Sequence, residues 1–561
     1  MPDVLVLLGR TCLHFVLLML LFLAACAFAI RKNVRDIPSV GLIGLAGTAL
    51  PGYFVFWSWF VSRRLVHPFA TAVLAVAALW LLYFFRFSNR EARDILKALS
   101  FPFCLIFTSS LLVLSTGFVY GGMQDPLMVP KMRFSHELPG DNAIPFIFLE
   151  SMLTSRHIPR PIMANYNSSD RPPLQTAIAL SQTPLLIVPR PLAYTVLSAV
   201  LQSFWIFALW ILLFARGVST GATRCALLAC LLSQFVFLNT FYVWPKLIAA
   251  AYILGFITVL LTGRLDSVPH QRLLSIAAGC LLTWGMLSHG SSIFAVLGIP
   301  LTMWLFRRSV SLKALLMIGA TAFILYLPWI VYQKFYDPPG DRLLKMHIAG
   351  VPEPDPRSFT QALVSAYRSL NAGKIVSNKW ENFKSAFGYA GDYFQTVAKL
   401  LLSSGKADGG AARNGIARAL RTQWFLLFIP NLGLLMVGLP ALLAGIGMRQ
   451  HSPEWQSAIL LLALILIINA IWCLLMFGPA STIIHQGTYV TVPLAFTGCV
   501  LALWTVSKWL AIVITILQIS VQAFVSLWLL HPAGQLQYGM VTLSLIGLAA
   551  TLLLLRKLPS S

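Results

Sequence analysis

The sequence predicts an all-α polytopic membrane protein. Three observations predict it. Hydrophobic residues make up 58% of the 561 residues and charged residues only 11%, and mean hydropathy is +0.79. Many windows of about 20 residues carry no charge, which is the length a helix needs to cross a bilayer. Basic residues collect in short connections on one alternating side of those windows.

The net charge of +23 does not point to nucleic acid. Basic residues at the cytoplasmic ends of many helices produce such an excess, and no basic run is interleaved with aromatics in a soluble segment. The eight cysteines fall in or beside apolar segments, so neither a disulfide framework nor a CxxC metal pattern is expected. The N-terminal stretch MPDVLVLLGRTCLHF lacks a basic region followed by a cleavage site and is expected to be retained.

Taken in order, the chain offers about fifteen candidate spans. Four lie near 13–30, 40–61, 66–85 and 99–119, and a polar stretch follows at 120–190. Six more lie near 191–215, 222–242, 247–263, 273–288, 291–306 and 314–331. A second long polar stretch covers 332–423. Five spans near 424–447, 455–477, 490–507, 509–530 and 538–555 complete the chain. No low-complexity segment or internal repeat stands out.

Orientation follows from the short connections. Eighteen basic residues, from Arg31 to Lys557, fall on one alternating side, and only Arg10, Arg63, Arg64 and Lys246 fall on the other. The positive-inside rule places the first set in the cytoplasm and both long loops outside. Asp141, Asp170-Arg171, Lys246, His289, the 332–423 loop and His485–Tyr489 then share the outer face. None of the 18 Asp and Glu residues falls inside an expected span. Ion-coupled transporters keep an ionisable group near the midplane, so the pattern favours chemistry at the outer interface.

The polar island Gly140–Gln175 carries the candidate chemistry. Asp141 follows the Pro139-Gly140 turn and precedes a run, Ala143–Ile158, with apolar residues at helical spacing. Asp170-Arg171-Pro172-Pro173 then has the look of a helix start, with Asp170 or Ser169 as its cap. A carboxylate at Asp141 can take a proton from an attacking hydroxyl. The common alternative for Asp after Gly is a turn or cap residue. Arg171 can bind a phosphate at a helix start, or form a surface pair with Asp170, which is itself expected to cap or orient.

Lys246 departs from the charge trend, so it either binds an anion or snorkels to the interface. His289, His485 and Tyr489 lie at outer span ends as substrate-contacting or orienting candidates. HExxH and DxD are absent, so neither a metal nor another cofactor is expected. After the turn Asp337–Asp341, the residues Arg342, Lys345 and His347 fall on an expected interfacial helix that suits a lipid phosphate, or plain adhesion to the membrane surface.

These residues resemble the GT-C superfamily of membrane glycosyltransferases, in particular the branch of protein O-mannosyltransferases and bacterial lipid A aminoarabinose transferases. Gly140-Asp141 is similar to that family's catalytic aspartate position, and Asp170-Arg171-Pro172-Pro173-Leu174 to its acidic-basic-Pro-Pro-Leu motif. The resemblance covers roughly residues 99–350. It implies a seven-span catalytic module at 99–331, preceded by extra helices at 1–98. An outer loop with an interfacial helix at 332–423 and C-terminal helices at 424–561 would follow. Asn142 stands where many relatives have a second acid, and four spans precede the module where the simplest relatives have none.

The implied activity is inverting transfer of a sugar from a polyprenyl-monophosphate donor. Asp141 is the implied general base, and Arg171 contacts the donor phosphate, with Lys246, Arg342 and Lys345 as further phosphate candidates. The acceptor would be a glycan, a glycolipid or a protein, and the site would face the periplasm from a bacterial inner membrane. A ligase or polymerase using a diphosphate-linked donor, relying on His485 and Arg342, is one alternative. A lipid-linked sugar flippase is another, disfavoured because the spans carry almost no charge.

Overall fold

The computed structural model describes residues 2–134, 138–155, 157–185, 190–263, 265, 270–387, 402, 432–447, 451–478, 489–524 and 535–559. Among these residues every element is helical. The only β pairings described are isolated bridges, Tyr120 with Leu536 and Met163 with Tyr166. Eight described helices are long and apolar enough to cross a membrane, or nine if one bent pair is a single span. That fits a polytopic helical membrane protein.

Polar caps start several helices, and that of Arg90–Gly117 lies well before the expected start near 99. The Asn89 side chain accepts the Ala92 amide at 2.9 Å and opens Arg90–Gly117. Asp36 accepts the Ser39 amide at 3.0 Å and opens Ile37–Gly47, with Pro38 in the first turn. Ser452 does the same for Pro453–Leu475, accepting from Trp455 at 3.2 Å. Each cap satisfies an amide that has no partner within its helix.

The fifteen expected spans divide by length. Pro2–Arg31, Ile37–Val61, Arg63–Phe87, Arg90–Gly117, Arg190–Ala215, Leu312–Tyr336, Pro453–Leu475 and Tyr538–Arg556 have the length and apolarity of spans. The expected span at 222–242 is a bent pair, Thr220–Leu231 and Gln234–Phe241, meeting at 58°. Ser233 caps the second half by accepting the Val236 amide at 3.2 Å. Helices with 10 to 18 described residues stand at the other six positions, and residues 424–431 and 525–530 of two expected spans lie outside the described residues.

Burial sorts the helices radially. The apolar window of Arg190–Ala215 is wholly buried, while that of Leu312–Tyr336 is only 17% buried. The first forms the centre with Lys246–Leu261, every residue of which is buried. The second shows Phe323 and Ile324 outward, as a lipid-facing helix does. The N-terminal helices are not peripheral additions. Trp284 donates to the Ala46 carbonyl at 2.8 Å, and Phe22 stacks on Phe103 at 4.1 Å. The final helix, Tyr538–Arg556, brings Gly547 against the Leu112 backbone of Arg90–Gly117.

One close approach matters for the site. Gly52, in helix Leu50–Val61, faces the backbone of Leu174–Ser181, the helix that follows Arg171. A Cβ there would lie 2.8 Å from Ile178 Cα and 2.9 Å from the Ala177 carbonyl oxygen. Backbone cannot rotate aside as a side chain can. Gly52→Ala is therefore expected to cost about 1–3 kcal/mol of stability through overpacking. A thermal unfolding scan of the purified protein should show a lowered Tm, and an unchanged Tm would refute this packing.

Candidate functional site

The Asp141 turn is held from two sides. Gly140–Ala143 is a single 3-10 turn that leads into helix Ile144–Thr154, with Pro145 in its first turn. The Asn142 side chain donates to the Tyr242 carbonyl at 3.1 Å, and the Tyr242 hydroxyl donates to the Pro139 carbonyl. This clamps the turn to the segment that leads into Lys246–Leu261. Thr176 donates to the Pro145 carbonyl at 2.8 Å and ties in the helix after Arg171.

The start of the Lys246 helix is buried, so its backbone needs internal partners. Two glutamines supply them. Gln202 accepts from the Leu247 and Ile248 amides at 2.9 and 3.0 Å. Gln175 Nε2 lies within hydrogen-bond distance of the Val243 carbonyl at 3.1 Å, the Tyr194 hydroxyl at 2.7 Å and the Ser198 hydroxyl at 2.9 Å. Gln202 also donates to Gln175 at 3.2 Å, which joins the two.

Four buried charges meet across this scaffold. Arg171 does not pair with its neighbour Asp170. Its Nη2 donates to Asp141 Oδ2, and the two residues are only 6% and 5% exposed. Asp170 instead accepts from Arg342 Nη1 at 3.0 Å and from the Asn167 amide at 2.9 Å. Tyr166 lies between the guanidiniums, its ring 5.4 Å from Arg171 and 4.8 Å from Arg342. The expected helix cap at Asp170 or Ser169 is replaced by a short 3-10 turn, Ser168–Asp170, that starts at Asn167. Helix Leu174–Ser181 begins only after Pro172-Pro173. The prolines fix φ but supply no amide to cap, so the Asp170 carboxylate is left to serve Asn167 and Arg342.

The other expected residues take distinct places. Lys246 is buried, donates to Tyr489 at 3.1 Å and sits 3.1 Å above the Trp244 ring. Lys345 is buried too, 2.9 Å from both Asp341 Oδ1 and the Asp355 carbonyl. His289 turns its Nδ1 to Ser291, accepting the backbone amide at 3.2 Å and lying 2.8 Å from the hydroxyl. Burial, with Lys246 and Arg171 nearby, holds its pKa well below the usual value, so the imidazole is neutral. His485 lies outside the described residues. Among the described residues no group of three or more His, Cys, Asp or Glu could hold a metal ion.

A cavity of ≈ 350 Å³ opens beside the charges. Asp170, Arg171, His289, Asp341 and His347 supply much of its polar wall. Phe294, Trp329, Leu344, Ile348, Trp472 and Met476 supply much of its apolar wall. Of the cations expected to meet phosphate, Arg171 is the one on this wall. Arg342, Lys345 and Lys246 are not among its lining residues. Helix Arg342–Ala349 closes the cavity, and the Phe477 amide donates to the His347 carbonyl at 2.9 Å, joining it to the C-terminal helices.

Two residues in this site carry more than their sequence setting suggests. Asp337, which reads as a turn former, is fully buried. It accepts from the Ser168 hydroxyl at 2.6 Å and the Ser169 amide at 2.9 Å, and it lies 3.1 Å from Arg160 Nε. Tyr166 reads as a loop aromatic. Its position five residues before Arg171 was the available signal.

Burial raises the Asp170 pKa above the ordinary carboxylate value, while the Asn167 amide and Arg342 pull it back down. A carboxyl with a raised folded pKa is undisturbed below its unfolded value, about 3.9, and costs stability as pH rises through the folded value. Arg342→Gln removes the counter-charge and should cost about 3–5 kcal/mol at neutral pH. The loss should be smaller at pH 5 than at pH 8, and Asp170→Asn in the same chain should restore part of it. Unfolding curves of the three variants at both pH values check this.

No protein-family model, curated protein or solved structure matches this chain.

Proposed function

We propose that this protein is an inverting glycosyltransferase that moves a sugar from a polyprenyl-monophosphate donor to a hydroxyl of a glycan, glycolipid or protein. The reading rests on one observation. The buried Asp141–Arg171 pair keeps two atoms, Asp141 Oδ1 and Arg171 Nε, with no hydrogen-bond partner among the described residues. Buried polar atoms are rarely left so. The carboxylate oxygen calls for a donor and the guanidinium nitrogen for an acceptor. An attacking hydroxyl is such a donor and a phosphate such an acceptor. The adjoining cavity has an apolar wall for the lipid and Arg171 on its polar wall.

In the proposed reaction Asp141 takes the proton of the acceptor hydroxyl. That oxygen bonds to the anomeric carbon from the face opposite the phosphate. The carbon–oxygen bond to the phosphate breaks, and its electron pair leaves on the polyprenyl phosphate. Arg171 holds the leaving charge, in a site where burial strengthens the attraction. As the phosphate takes up the guanidinium, Arg171 loosens its hold on Asp141, so donor binding readies the base. Lys246, within electrostatic reach of Asp141, steadies the carboxylate. His289 hydrogen-bonds the sugar. Arg342 acts through Asp170 to position the loop, and Lys345 holds the loop that ends at Asp355.

The segment order supports the same reading, since an aspartate turn, a short helix, an acidic-basic-Pro-Pro-Leu motif and a second surface helix follow as in GT-C enzymes. By that resemblance the site faces the periplasm of a bacterial inner membrane.

Asp141→Asn is expected to lower transfer by about 10²–10⁴-fold, measured with a polyprenyl-phosphate sugar in detergent. Binding of undecaprenyl phosphate should be unchanged or tighter, because Arg171 is released. Arg171→Gln should weaken that binding. Wild-type turnover by Asp141→Asn would end the proposal.

A further inference from the structure

A second basic groove lies apart from the cavity, at the same end of the bundle. It forms where helix Leu50–Val61 turns through Arg63–Leu65 into Val66–Phe87, and has a volume of ≈ 750 Å³. Trp59, Phe60 and Tyr336 give it aromatic walls, and Arg63, Arg64 and His67 give it charge and N–H donors. Among the described residues no acidic residue lines it, unlike the cavity beside Arg171, where Asp170 and Asp341 do.

The three basic residues are not equivalent. Arg63 is committed to the fold, since its guanidinium donates to the carbonyls of Leu153 and Ser155. Leu153 is in the last turn of helix Ile144–Thr154 and Ser155 is its C-cap, so the cation sits at the helix's negative end. Arg64 and His67 are exposed, and neither makes a hydrogen bond or ion pair among the described residues. Arg63 and Arg64 are also two of the four basic residues that break the charge trend of the short connections. Topology therefore gives no reason for Arg64 to be there.

We infer that this groove binds the anionic headgroup of a bilayer phospholipid. The phosphate sits between Arg64 and His67, and the glycerol and upper acyl chains lie along Trp59, Phe60 and Tyr336. The chemistry is complementary, with a cation and a ring N–H for phosphate oxygens and aromatic faces at the depth where a bilayer changes from polar to apolar. The groove opens on a surface rich in exposed apolar side chains, including Val61, Leu65 and Phe69. It also touches Met152 and Leu153 at the end of Ile144–Thr154. That helix is about 16 Å long and begins just after the Asp141 turn, so a bound lipid braces the far end of the element that carries the turn. The inference does not depend on the proposed transferase activity.

The test uses the full chain in vesicles with phosphatidylglycerol or phosphatidylcholine, each carrying a photoactivatable group near the headgroup. Cross-links mapped by peptide mass spectrometry are expected at residues 59–67 with phosphatidylglycerol and at much lower yield with phosphatidylcholine. Arg64→Gln should reduce the yield about fivefold, the effect of one charge near an anionic surface, and Arg64→Gln with His67→Gln should reduce it further. Arg31→Gln, in a separate pocket, should leave it unchanged. Neither the Arg64 nor the His67 side chain makes a hydrogen bond or ion pair among the described residues, so the double variant should keep the wild-type Tm. Equal yields from the two lipids would overturn the inference, as would an unchanged yield in the double variant. Competition by millimolar inorganic phosphate would make this a free-anion site and overturn the lipid assignment.

Discussion

A buried carboxylate in a chain this apolar is costly unless a cation meets it. The site is built on that constraint. Asp141, Asp170, Arg171 and Arg342 are each at most 6% exposed, and they pair crosswise, Arg171 with Asp141 and Arg342 with Asp170. The crossing matters. Adjacent residues that paired with each other would fix only their own loop. These pairs join three separate stretches of chain, the Asp141 turn, the Asp170-Arg171 turn and the helix beginning at Arg342. Removing one member strands a charge, which costs far more than the intact pair contributes. The pairs thus specify the arrangement of the loops more than they add to overall stability.

The helices beneath supply the geometry these pairs need. Gly52 lets Leu50–Val61 approach the backbone of the helix after Arg171. Gln175 and Gln202 satisfy the buried start of the Lys246 helix, and Asn142 and Tyr242 fasten the Asp141 turn to the segment that precedes it. Each is a polar or minimal side chain placed where backbone would otherwise be unpaired or blocked. The cavity lies where this polar layer ends and the apolar helices begin. Its wall combines Arg171 and His289 with Trp329 and Trp472. A ligand with a charged head and an apolar tail matches such a wall better than a wholly polar or wholly apolar one does.

The same principle separates the two basic sites. In the cavity, acids balance the cations, so the wall can hold charge in a buried setting. In the groove at Arg64, no acid is present among the described residues and the cations reach solvent. Screening by water makes that groove suited to an anion at the surface and unsuited to reorganising charge during a reaction.

Much of the architecture was legible in the sequence, for a physical reason. Long charge-free runs leave helix as the economical way to satisfy backbone in lipid. Asn89, Asp36 and Ser452 cap helices by chemistry that is local in the chain, although the expected spans began later, near 99, 40 and 455. The turn at Gly140-Asp141 and the helix at Arg342 were likewise visible as neighbouring residues. The partners were not. Asp170 stands beside Arg171 in sequence, and the natural reading pairs them. Backbone direction sends Arg171 to Asp141 instead and brings Arg342 from 172 residues away. Lys345 looked like a phosphate ligand and is occupied by Asp341 and Asp355, while Asp337 looked like a turn and is a buried hub. By itself the sequence determined the helical membrane class and the residue types able to do chemistry. Only the tertiary structure decided which of those residues meet, because charge pairing acts through space and leaves no periodic trace along the chain.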